Sequence, residues 1–102
     1  GLPKETSSEE KRVVLSPEAV RILTENGVSV LVETQAGDRA KFSDRQFSDA
    51  GAKIVYSRKE AFAADVVVKV NAPTEEEIAD MSVGSCLISQ ELSIKLNYLK
   101  MR

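Results

Sequence analysis

The chain contains no histidine, one cysteine, three prolines and five glycines in 102 residues. Each scarcity removes a class of chemistry. Without histidine there is no Ser-His-Asp or Cys-His catalysis, and the usual proton shuttle near neutral pH is missing. The commonest metal ligand is missing with it, so no metal site is expected. A single cysteine provides no disulfide framework and suits a reducing compartment. Set in the apolar run Cys86-Leu87-Ile88, it is expected to be a buried, inert thiol. No Gly-x-Gly-x-x-Gly and no phosphate loop appears among the few glycines, so a nucleotide site of the usual kind does not lie on this segment. Charge of one sign is also lacking. The net charge is -2, and the lysines and arginines sit mostly beside acids, which argues against a nucleic-acid partner. No apolar run approaches the roughly 20 residues that span a bilayer, so no direct membrane insertion is expected. Aromatics make up 5% of the chain against 42% for all hydrophobic residues, so the core must rest on Val, Ile, Leu and Ala.

What the chain does have is a repeated grammar for starting helices. Ser43-Asp44-Arg45-Gln46, Ser57-Arg58-Lys59-Glu60 and Thr74-Glu75-Glu76-Glu77 all read as capping boxes. In each, a hydroxyl accepts from the amide three residues on, and Gln or Glu reaches back. Phe42 with Phe47, and Pro73 with Ile78, are spaced as hydrophobic staples around two of them. A further helix is expected at Ser16, with Pro17 in the first helical position and Leu15 stapled to Val20. Gly27 and Gly51 stand where helices should stop, since a left-handed residue past a helix end favours glycine.

Short β-branched runs lie between these helices, at 28–33, 52–56, 65–70 and 85–89. Val66-Val67-Val68 does not alternate with polar residues, which predicts a central parallel strand covered on both faces. Strands alternating with helices across short connections predict right-handed crossovers. The fold class is therefore α/β, a Rossmann-like or flavodoxin-like open parallel sheet with helices on both faces. The stretch 91–100 is expected to be helical, with Leu92, Leu96 and Leu99 on one face. Gly1-Leu2-Pro3 reads as the tail of a first strand, and a doubly wound fold would supply another strand after the last helix. Both ends are thus expected to be cut.

In open α/β sheets, ligands bind in the crevice beyond the carboxyl ends of the strands. Two stretches reach that edge: the polar loop 4–12, and Lys69-Val70-Asn71-Ala72-Pro73 at the end of the central strand. One reading has Arg12, Lys69 and Asn71 lining a single polar cleft. The blander reading lets Lys69 snorkel to the rim and Arg12 pair with Glu9 or Glu10 on the surface. Glu75, Glu76 and Glu77 suit a first helical turn, where acids favour the helix dipole. Ala36-Gly37-Asp38 reads as a turn with no further role.

The opening Gly1-Leu2-Pro3-Lys4-Glu5, then Glu10-Lys11-Arg12-Val13-Val14-Leu15-Ser16-Pro17, resembles the alanine dehydrogenase and nicotinamide nucleotide transhydrogenase family. Members read Gly-Ile/Val-Pro-Lys-Glu, then Asn-Glu-x-Arg-Val-Ala-x-(Thr/Ser)-Pro. The resemblance continues through Val30-Leu31-Val32-Glu33, Ala36-Gly37, Phe42-Ser43-Asp44 and Ala50-Gly51-Ala52-x-Ile54-Val55, over residues 1–89. The branch turns on Asn71. Alanine dehydrogenases read Lys-Val-Lys-Glu-Pro, with the second lysine catalytic and a catalytic histidine soon after. Transhydrogenases read Lys-Val-(Asn/Arg)-Ala-Pro, as here. After Leu87-Ile88-Ser89, relatives continue with an aromatic-rich segment containing Pro-Ala-Gln-Asn, whereas this chain goes directly to Gln90-Glu91-Leu92.

The resemblance implies the N-terminal lobe, residues 1–102, of the NAD(H)-binding alpha subunit (domain I) of a proton-translocating NAD(P) transhydrogenase. It implies that NAD(H) binds mainly outside this segment, on the nucleotide-binding lobe of the same subunit, and that NADP(H) binds a partner domain. A membrane component would couple hydride transfer to proton movement. Domain I would be a homodimer on the cytoplasmic or mitochondrial matrix side, peripheral through its partner subunits. No catalytic residue is assigned to this lobe, and Arg12, Lys69 and Asn71 are the cofactor-cleft candidates. Two alternatives stay open: an alanine dehydrogenase-like amino-acid oxidoreductase, and a non-catalytic α/β assembly module derived from this lobe.

Overall fold

A computed structural model of the chain describes residues 1–6, 12–81 and 84–89. The stretch 91–100, expected to be helical, lies outside the described residues. Helix α1 (Pro17–Glu25) starts where its sequence says it should. Ser16 stands extended, its hydroxyl accepts the Ala19 amide, and Pro17 occupies the first turn, where a missing N–H costs nothing. The helix stops at Asn26, and Gly27 follows at φ +84°.

Strand β1 (Leu31–Glu33) follows, then a single 3-10 turn (Asp38–Ala40) and α2 (Asp44–Asp49). Next come β2 (Lys53–Val55), α3 (Arg58–Phe62), β3 (Val66–Lys69), α4 (Glu75–Ala79) and β4 (Cys86–Ser89). The Ser43 and Thr74 capping boxes both close, the N-cap amide donating to Gln46 Oε1 and to Glu77 Oε1 at 2.8 Å in each case. The Ser57 box closes only in part. The Ser57 hydroxyl accepts the Glu60 amide, but the Glu60 carboxylate turns to that hydroxyl rather than to a backbone amide. Phe42 and Phe47 do meet, edge to face at 6.3 Å, whereas Ile78 remains 54% exposed instead of folding under Pro73.

The strands pair in parallel, β1 with β2 and β3 with β4. Residues 1–3 join the two pairs. The Leu2 amide donates to Leu31 O at 2.7 Å, and Glu33 returns a bond to Leu2 O at 2.9 Å. On the other edge the Gly1 nitrogen donates to Val66 O, and the Val68 amide donates to Gly1 O. Residues 1–3 thus form a short central strand. The spatial order is β2, β1, residues 1–3, β3, β4, all parallel, which is the Rossmann-like arrangement. Gly1 has to be small there: a Cβ would lie 1.9 Å from the Ala61 carbonyl oxygen.

Two buried groups flank the sheet. Val20 of α1 and Phe47 of α2 pack with Leu2, Val30, Val32, Ala36, Ala50 and Ala52. Val55, Ala61, Phe62, Val67 and Val70 are buried outside that cluster, with α3 supplying Ala61 and Phe62. Strand alternation sends Val67 and Lys69 toward the α3–α4 side, and Val66 and Val68 toward α1.

That second face corrects two expectations. Val66 is 45% exposed, so among the described residues the α1-side face of β3 is open at its start, although Val68 on the same face packs against the core cluster. Cys86, register partner of Val66, is exposed rather than buried, because it lies on the outermost of the described strands and on the same open face. A groove of about 710 Å³ runs beside it between α1 and β3, lined by Leu15, Leu23, Val28 and Val66 among others.

Candidate functional site

Residues 1–3 and β3 are neighbours in the sheet, yet the chain leaves them in opposite directions. After the first strand it turns to α1 and β1, and after β3 it turns to α4 and β4. This is the topological switch point of an open parallel sheet, where the separating loops leave a crevice. The described residues of both stretches singled out at the carboxyl edge, Lys4, Glu5 and Arg12 of the first and Lys69 to Asn71 of the second, meet there.

Glu5 spans the crevice. Its Oε2 accepts the Val70 amide at 3.0 Å and its Oε1 accepts the Asn71 amide at 3.1 Å, residues 65 and 66 positions away. Beneath it, Lys69 has no exposed side-chain surface. Its ammonium donates to Glu77 Oε1 at 2.8 Å and stands 3.9 Å from Glu5 Oε1. The same Glu77 oxygen accepts the Thr74 amide, so one carboxylate caps α4 and neutralises the lysine. Glu77 Oε2 is buried without a hydrogen-bond partner in the described structure. The Ser89 hydroxyl donates to Val70 O at 3.3 Å and ties β4 to the same strand end.

On the other side of Glu5 lies a polar cavity of about 230 Å³, walled by Lys4, Glu5, Arg12, Gln35, Ala36, Asp38 and Arg39. Its far wall is built with care. Gln35 adopts φ +66°, a conformation disfavoured for a residue with a Cβ, and Asp44 holds it there. The Asp44 carboxylate accepts the Gln35 amide at 2.8 Å and the Thr34 hydroxyl at 2.6 Å. The Lys4 amide donates to Glu33 Oε1 at 3.0 Å, and its ammonium reaches Gln35 Oε1 at 3.4 Å. Cations and carboxylates facing one small space suit a small polar ligand held by charge-assisted hydrogen bonds. Its volume is below the roughly 300–1,000 Å³ of drug-sized ligand pockets.

The structure thus separates the three candidates. Arg12 lines the cavity. Lys69 does not: it is locked behind Glu5 by Glu77, neither at the rim nor in the cavity wall. Asn71 is half-buried beside it, its backbone held by Glu5. Glu9 and Glu10, the surface partners considered for Arg12, lie outside the described residues.

Three features escaped the sequence reading: Glu5 as the cross-tie, Glu77 as more than a helix-dipole acid, and the 36–38 turn as cavity wall. A signal for Glu77 was present. A lysine between two valines requires a buried acid, and the capping position of the next helix is the nearest acid already turned inward. Among the described residues no three side chains are grouped to hold a metal ion, and no helix is long and apolar enough to cross a membrane.

Comparison with known proteins places this arrangement. The family described as alanine dehydrogenase/PNT, N-terminal domain, matches residues 1–94. The NAD(P) transhydrogenase subunit alpha of Haemophilus influenzae is 45% identical over 89 residues, covering 87% of this chain and 17% of that protein. The alanine dehydrogenase of Staphylococcus epidermidis is 47% identical over 77 residues, covering 76% of this chain and 21% of the relative. A solved L-alanine dehydrogenase superposes with a TM-score of 0.84 at 44% identity, over 87% of this chain and 25% of its own. The chain therefore spans about a fifth of the length of the curated relatives it matches. With the switch-point crevice, the parallel sheet and the sequence match all in agreement, the chain belongs to the alanine dehydrogenase/PNT family and carries that family's N-terminal domain.

Proposed function

We propose that this chain is the N-terminal lobe of the NAD(H)-binding subunit of an NAD(P) transhydrogenase, working in hydride transfer between NADH and NADP⁺. The observation that carries the reading is Asn71, at the crevice end of β3, where the alanine dehydrogenase pattern places a catalytic lysine. Oxidising an amino acid needs a proton donor and acceptor beside the reacting carbon. Moving a hydride between two nicotinamides needs alignment and exclusion of water instead. Asn71 provides no titrating group, and Lys69 has its ammonium engaged by Glu77. On this reading NAD(H) is held chiefly by the following lobe of the same subunit, while the cavity walled by Arg12, Lys4 and Glu5 forms the facing side of the cleft. NADP(H) sits on a partner domain, a membrane component moves the proton, and the subunit works as a homodimer against the cytoplasmic or matrix face.

Replacement grafts test this. The chain substitutes for the matching segment of the Haemophilus influenzae subunit alpha and, separately, of the Staphylococcus epidermidis alanine dehydrogenase. Hydride transfer in the first graft with no alanine oxidation in the second supports the transhydrogenase reading. Alanine oxidation in the second with no transfer in the first overturns it. The similar identities to both relatives, 45% and 47%, keep alanine dehydrogenase as the competing reading that this pair of grafts decides.

A further inference from the structure

The two walls of the crevice come from chain segments that the sheet holds together only up to a point. The last bond between the first strand and β3 runs from the Val68 amide to Gly1 O at 3.0 Å. Beyond it the segments lead to different helices, so nothing in the ladder determines how far apart their ends stand. Glu5 acts at that place. Its two oxygens take two successive amides, Val70 and Asn71, which sets orientation as well as distance. The same side chain is 6% exposed and forms part of the cavity wall that also carries Arg12. Behind it, Lys69 is immobilised by Glu77, and Glu77 by the cap of α4.

We propose, building on the transhydrogenase reading above, that Glu5 is a positioning residue of the cleft. Its carboxylate sets the Asn71 backbone against the Arg12 wall, with the Lys69 ammonium, held by Glu77, 3.9 Å behind it. Glu5 need touch no reacting atom. It converts two separating loops into one surface, so that residues from positions 12 and 71 face a ligand in fixed register. Alignment of this kind is what a direct hydride transfer demands of its scaffold.

The test uses the whole 102-residue chain, labelled with ¹⁵N and ¹³C. Scalar couplings through the hydrogen bonds from the Val70 and Asn71 amide nitrogens to the Glu5 carboxylate carbon report the clamp directly. Both are expected in the wild type, and their absence overturns the proposal whether or not any variant folds. In Glu5→Gln, exchange of the Val70 and Asn71 amides is expected to speed up about tenfold or more, and the Asn71 side-chain amide resonances move. The Ala52 and Lys53 amides, bonded far from the crevice, keep wild-type rates. A uniform rise at all four amides, or no change at 70 and 71, shows Glu5 to be a general stabiliser and overturns the proposal. Lys69→Met serves as the control. It lowers the melting temperature but keeps the two couplings, and their loss there would mean that the lysine, not Glu5, does the positioning. These readouts need no catalysis, so their failure leaves the graft result standing, and failure of the grafts leaves the clamp standing.

Discussion

Replacing Lys69 by Met puts a number on the buried charge cluster. The lysine side chain has no exposed surface, donates to Glu77 at 2.8 Å and lies 3.9 Å from Glu5. Methionine keeps the stem and the volume but removes the ammonium. Glu77 is then left buried with no positive partner, its Oε1 holding only the Thr74 amide and its Oε2 holding nothing in the described structure. Removing one member of a buried pair costs about 3–5 kcal/mol, because the other charge remains desolvated. A domain of this size has about 5–15 kcal/mol of stability in total. At roughly 4–8 °C per kcal/mol, the melting temperature falls by at least about 12 °C. Thermal unfolding by circular dichroism and urea titration both measure this. Adding Glu77→Met should restore most of the loss, since an apolar pair of similar volume is often as stable as the ion pair it replaces. A residual deficit of about 1–2 kcal/mol remains from the lost cap on the Thr74 amide. Lys69→Met melting within about 4 °C of the wild type would refute the reasoning. So would a double variant whose cost is the sum of the single ones, since contacting charges must couple.

Two further outcomes follow from the packing. Cys86 is exposed on β4, the outermost of the described strands, so a disulfide reagent should label it completely in the native chain without urea; labelling that waits for unfolding would place the thiol in the core. Gly37→Ala should destabilise the chain by about 1–3 kcal/mol through overpacking. The added methyl would meet the Phe47 ring at 2.5 Å and the Phe42 carbonyl oxygen at 2.9 Å, and an unchanged urea midpoint would mean that the turn yields freely.

The sequence is a good guide where the physics is local. Ser16, Ser43 and Thr74 begin helices because each hydroxyl needs only the amide three residues ahead, and all three do so in the structure. Gly27 and Gly51 end them at positive φ for the same kind of reason. Pairing Phe42 with Phe47 follows from their spacing around one cap. The guide fails where a neighbour is remote. Val66-Val67-Val68 has the composition of a strand covered twice, but composition does not say which helices lie across it. The described helices on the α1 side pack against β1 and β2, leaving Val66 and Cys86 open.

The crevice shows the same division. The class of fold, the parallel direction of its strands, the membership of the family and the presence of Arg12 and Asn71 at the crevice edge were all legible in the sequence, because caps, periodicity and motif spacing are properties of short stretches. That Lys69 is buried rather than at the rim, that Glu77 neutralises it while capping α4, and that Glu5 clamps two amides 65 and 66 residues away were decided only by the tertiary structure. The energy of a buried charge depends on which opposite charge the strand order brings beside it. That order places residues 1–3 directly against β3.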